Sequence, residues 1–85
     1  QHIGLDALVE LVLQRMGRVQ KVVVIGDYAK GIDSGVIQVI LVGDQLDSTY
    51  IEQLRAKVEK EIKRKVQFNL AETYIGDGLV IYESA

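Results

Sequence analysis

No cysteine occurs in the chain of 85 residues, so it has neither a disulfide framework nor a thiolate metal site. A single histidine, His2, excludes a multi-histidine metal centre and leaves no second histidine to spare beside a Ser-His-Asp triad. Close to the start of the chain, it is read as incidental. No apolar run approaches the ~18 residues that would suggest a bilayer span, so no membrane partner is expected. A basic excess is also missing. The 10 Lys+Arg against 12 Asp+Glu give a formal net charge of −2. Gripping a nucleic-acid backbone with the whole surface requires the opposite balance. The four tyrosines, Tyr28, Tyr50, Tyr74 and Tyr82, are too scattered to form a base-stacking platform. What is present is ordinary globular material: 48% hydrophobic and 26% charged residues, which excludes intrinsic disorder. At this length the chain forms a single domain over residues 1–85, above the ~60 residues at which independent folding becomes marginal. The chain begins at Gln1, and its sole methionine is Met16. It is therefore expected to be a piece excised from a longer protein.

The pattern of apolar residues divides the chain. Leu5, Leu8, Val9, Val12 and Met16 recur at helical spacing between Gly4 and Met16, and Gly17 is the expected helix stop. Ala7, Leu11 and Leu13 widen the apolar stripe. That width fits either a second contact, such as a partner subunit, or burial at the rim of the same core. Lys21–Ile25 reads as a strand covered on both faces, because Val22-Val23-Val24-Ile25 is an unbroken apolar, β-branched run. A second strand is expected over Val36–Val42, where Gln38 is the sole polar residue. A helix is predicted to open at Asp47-Ser48-Thr49, with Thr49 and Glu52 as a capping box or Asp47 or Ser48 as the cap. Its apolar stripe is Ile51, Leu54, Val58 and Ile62. Arg55–Glu59, Glu59–Lys63 and Glu61–Lys65 are i,i+4 pairs on its charged side. Val66–Leu70 alternates like a strand with one wetter face, Gly76-Asp77-Gly78 reads as a hairpin-type turn, and Leu79–Tyr82 as a last strand at a sheet edge. The fold class is α/β (α+β): a small mixed sheet of about four strands with helices packed on it.

The first strand ends in Gly26-Asp27-Tyr28-Ala29-Lys30-Gly31, followed by Ile32-Asp33-Ser34-Gly35. Glycine at a strand end permits a sharp turn and close approach of a ligand, and the amides that follow are placed to cradle a phosphate. No Gly-Lys-Ser/Thr follows and the glycine spacing is wrong for a dinucleotide fingerprint, so neither a Walker A loop nor a Rossmann turn is present. Asp27 and Asp33 flank the turn. They read either as a cation-binding pair or as solvated turn residues, the usual state of paired carboxylates without further ligands. Lys30 is a phosphate contact or a solvent-facing loop lysine. The basic run Lys60–Lys65 reads as a DNA contact or, since Glu59 and Glu61 dilute it, as a solvated helix end, the reading preferred here.

From Val22 to Leu70 the chain resembles the DNA polymerase β-type nucleotidyltransferase fold in its minimal form. In that family a strand ends in Gly-Ser, a short helix carries a small residue, a basic residue and a glycine, and the next strand carries two aspartates one residue apart. Ala29-Lys30-Gly31 matches the middle element. The chemistry does not follow. Nucleotidyl transfer needs carboxylates holding two Mg²⁺ ions. The positions matching the aspartate pair are Val36 and Gln38, the third carboxylate would fall near Gln67 or Asn69, and the serine is Asp27. The phrase from Val24 to Ser34, with Val39-Ile40-Leu41-Val42-Gly43-Asp44, is closer still to the C-terminal domain of ArsR-like bacterial winged-helix regulators, in which Gly-Asp also replaces Gly-Ser.

The resemblance implies a cytoplasmic, non-catalytic, regulatory or dimerising domain of a transcription regulator. It would be a homodimer that meets DNA only through a winged-helix half preceding it. No cofactor, metal or catalytic residue is expected. The implied pocket is Gly26, Asp27, Lys30, Gly31 and Gln38. The alternatives are a nucleotide-binding sensor and a residual nucleotidyltransferase.

Overall fold

The computed structural model describes residues 4–85, which places His2 outside the described residues. The elements run α1 (Leu5–Arg15), β1 (Lys21–Ile25), a short 3₁₀ turn (Tyr28–Lys30), β2 (Val36–Val42), α2 (Ile51–Ile62), β3 (Lys65–Ala71) and β4 (Leu79–Glu83). The four strands form one sheet in the order β3-β2-β1-β4. β1 is antiparallel to both β2 and β4, whereas β2 and β3 are parallel. The parallel step follows from α2, a crossover helix that returns the chain to the start of the next strand. The result is a small α+β domain, a mixed sheet of four strands with two helices packed on one face.

The alternation of side chains along each strand sorts residues between the two faces. On the helix-covered face, Val22 and Val24 of β1, Ile37, Val39 and Leu41 of β2 and Val66 of β3 join Leu5, Leu8, Val12, Leu54, Val58 and Ile62 of the helices in the main core. Removing a side chain of this size from water contributes roughly 1.5–3 kcal/mol, which is what holds the helices to the sheet. On the other face a smaller cluster, Val23, Ile40 and Val42, is buried with Ile25, Ala71 and Tyr74 against it. The continuous run of β1 is thus explained: its central valines serve both clusters.

The extra apolar width of α1 is absorbed by its own core. Leu11 and Leu13 are half-buried against the main cluster, and no residue of α1 is among the exposed large hydrophobics. α1 stops at Arg15 without help from Gly17. Met16 closes it in an extended-side conformation (φ −132°, ψ 67°), its N–H donating to the Val12 carbonyl.

Three further expectations are corrected. Thr49 and Glu52 form no capping box: α2 begins after Tyr50 with no side-chain cap. Asp47 instead accepts the Thr49 N–H at 2.8 Å and its hydroxyl at 2.5 Å, closing a turn just ahead of the helix. Of the charge pairs, Arg55–Glu59 forms at 2.9 Å, and Arg55 also reaches Glu52 at 2.7 Å. Among the described residues Glu59–Lys63 and Glu61–Lys65 make no ion pair, because α2 ends at Ile62 and Lys63 turns left-handed (φ 59°), ending the i,i+4 spacing. Finally, Gly76-Asp77-Gly78 does not join a hairpin. β3 and β4 lie at opposite edges of the sheet. The segment 72–78 crosses the face opposite the helices, where Tyr74 packs on the smaller cluster and donates its hydroxyl to the Asp77 carbonyl at 2.6 Å.

Candidate functional site

The glycine-bracketed turn leaves β1 at Gly26, which is left-handed (φ +74°). A side chain there would sit 2.9 Å from Gln38 Nε2. Gln38 pairs with Ile25 in the register of β1 and β2, so its amide lies over the turn. The structure therefore places Gln38 beside Gly26. Gln38 is half-buried, and no buried side-chain polar atom among the described residues lacks a partner. Its amide is satisfied without a dedicated protein partner because solvent still reaches it.

The far end of the turn is bonded to itself. The amides of Lys30 and Ile32 both donate to the Asp27 carbonyl at 2.9 Å, and that of Gly31 donates to the Tyr28 carbonyl at 3.0 Å. These bonds close the end of the turn away from Gly26; the amides of its opening residues, Asp27, Tyr28 and Ala29, are not among them. Asp27 and Lys30 are exposed at its rim, as is Gly31.

Asp33 is not one half of a cation site with Asp27. Its carboxylate accepts from Arg64 Nε at 2.8 Å and Nη2 at 2.5 Å, both on Oδ2, while Oδ1 accepts the Gly35 N–H at 3.1 Å. The Arg64 bond first, then the Gly35 amide, hold the Asp33 carboxyl below the ordinary aspartate range, and the same contact raises Arg64. Among the described residues no group of three or more His, Cys, Asp or Glu side chains is placed to hold a metal. Arg64 thereby ties the turn after β1 to the junction of α2 and β3. Nothing local in the sequence marks it out from Lys63 and Lys65, its neighbours in the basic run.

The positions that the nucleotidyltransferase resemblance reserves for carboxylates gather on one face. Val36 and Gln38 of β2 point to the side opposite the helices, since Ile37, Val39 and Leu41 fill the main core. The parallel register sets Gln38 beside Gln67 and Ile40 beside Asn69. The patch next to Gly26 is thus an aliphatic residue and three neutral amides. It can donate and accept hydrogen bonds but cannot supply the anionic oxygens that bind Mg²⁺ tightly.

Two grooves border the sheet. One of about 450 Å³ runs beside the start of β3, lined by Val36 and Gln67 of the patch together with Arg55, Glu59, Lys65 and Phe68. Another of about 350 Å³ lies between the α1–β1 loop and the end of β4, near Arg18, Asp44 and Tyr82. Neither includes any of Gly26, Asp27, Lys30, Gly31 or Gln38. No helix among the described residues is long and apolar enough to cross a membrane. No family model matches the chain, and no curated protein matches it significantly.

Proposed function

We propose that this chain is the non-catalytic, dimerising half of a bacterial ArsR-like winged-helix transcription regulator, acting in the cytoplasm with DNA held by a winged-helix half that precedes it. One observation carries the reading. The three places where a nucleotidyltransferase needs carboxylates share one sheet face beside Gly26 and hold Val36, Gln38 and Gln67 or Asn69. A scaffold without its metal ligands retains packing and assembly as its roles. A two-fold dimer suits a regulator because it presents two DNA-binding halves to the two halves of an operator.

Nucleotide sensing is the second reading, and it rests on the left-handed Gly26 beside Gln38 at the start of the turn. The test is incubation of the chain with Mg²⁺ and labelled nucleoside triphosphates. No label transfer is expected, and transfer to the chain or to an added hydroxyl acceptor would overturn the proposal. Calorimetry with the same nucleotides at millimolar concentration is expected to show no heat of binding; a saturable heat would favour the sensor.

A further inference from the structure

We propose that two copies of the chain pair through the outer edge of β3, antiparallel, about a two-fold axis at Asn69, so that their sheets join into one. The proposal rests on the dimerisation reading above and names its surface.

β3 is an edge strand whose one neighbour is β2. The directions of its backbone groups are set by bonds at its two ends. The Lys65 N–H donates to the Gly35 carbonyl and the Ala71 carbonyl accepts the Gly43 N–H, so odd-numbered residues bond toward β2. Val66 points its N–H the other way, to the Glu59 carboxylate at 2.8 Å. By the same alternation Phe68 and Leu70 present N–H and carbonyl groups outward, and no backbone bond among the described residues meets them. A row of unpaired edge groups is a template for another strand. A second β3 centred on Asn69 sets Phe68 of one copy against Leu70 of the other, each pair exchanging both its hydrogen bonds, while the Glu59–Val66 bond stays intact. Asn69 meets its own counterpart in the closer, non-hydrogen-bonded position.

Charge selects the orientation and the edge. Lys63, Arg64 and Lys65 stand at the start of β3 and Glu72 just beyond its end. Antiparallel pairing brings the basic start of one copy beside Glu72 of the other, whereas parallel pairing would set like against like. The opposite edge, β4, offers an exposed Val80 (46%), so exposure alone would favour it. But β4 is preceded by Asp77 and ends in Glu83, and antiparallel self-pairing there would bring acid beside acid.

The chain's lack of cysteine makes the test clean. In the Asn69→Cys variant, counterparts across the axis lie ~4.5 Å apart at Cα, within disulfide reach. Under mild oxidation most of this variant is expected as a disulfide-linked dimer on a non-reducing gel, while Val80→Cys at the same concentration remains mainly monomer. Asn69→Lys sets two ammonium groups together at the axis on an exposed position, and sedimentation should show the dimer Kd raised at least about tenfold, with circular dichroism unchanged. If the parent chain is a dimer but Asn69→Cys links no faster than Val80→Cys, or Asn69→Lys leaves its Kd unchanged, the β3 surface is wrong and dimerisation stands. A parent chain that is monomeric to millimolar concentration overturns both.

Discussion

Arg64 closes on Asp33 across 31 residues of sequence, placing Nε and Nη2 on a single carboxylate oxygen at 2.8 and 2.5 Å. The contact pins the loop between β1 and β2 to the point where α2 gives way to β3. That loop carries the turn next to Gly26 and Gln38, so the ion pair holds in place the rim of the patch on which the functional reading depends.

The pair has a pH signature. Asp33 is held low in the folded chain, by Arg64 first and the Gly35 amide second. Glu59 is held low as well, chiefly by the Val66 amide. A depressed carboxyl contributes stability that is present above its unfolded value near ~4 and is lost as pH falls through the folded value. Stability should therefore be flat near neutrality and fall below pH ~4. Arg64→Ala should bring the Asp33 midpoint, followed by carboxyl NMR, up toward the ordinary range, with a small loss of Tm at pH 7. A midpoint unmoved by the substitution would show that the pair does not form in solution.

Gly26 and Gln38 should be energetically coupled. Gly26→Ala meets two costs: a left-handed φ of +74° and a Cβ 2.9 Å from Gln38 Nε2. Gly31 is also left-handed (φ +85°) but has no atom within 4 Å of an added Cβ, so Gly31→Ala isolates the backbone cost of about 1–2 kcal/mol. Urea denaturation should show Gly26→Ala costing more than Gly31→Ala. Adding Gln38→Ala should recover the excess, because the clashing group is the end of a flexible side chain. Strict additivity of the two substitutions would mean they do not touch.

The two leucine environments on α1 separate core from rim. Leu8 is fully buried and Leu13 half-buried against the same cluster. Leu8→Ala is expected to cost about 2–5 kcal/mol, a large part of the ~5–15 kcal/mol typical of a domain. Leu13→Ala should cost less than half as much. Equal losses in thermal or denaturant unfolding would mean that Leu13 is buried more deeply than its position here, for instance in a subunit contact.

Local pattern carried far in this chain. The runs Lys21–Ile25 and Val36–Val42 could be bounded from their residues alone, because burial on both faces leaves no polar interruption except Gln38, and turn residues close each end. The wetter face of Val66–Leu70 was legible for the same reason, since alternation reports a neighbour-scale property. The coming together of Gly26 and Gln38 was within reach too, once the two strands were taken as adjacent.

What sequence could not supply was partnership over distance. Gly76-Asp77-Gly78 has hairpin composition, but a turn signal reports a change in chain direction and not which strands it connects. Here β2 and β1 lie between β3 and β4. Asp33 read as a solvated turn carboxylate, or else a cation-binding one, until the fold brought Arg64 to it. Periodicity and capping chemistry act over a few residues, so the strands, the helices and the core faces follow from the order of amino acids. Strand order and ion pairs between distant segments depend on how those pieces pack, where burial and hydrogen-bond satisfaction are settled for the whole chain together.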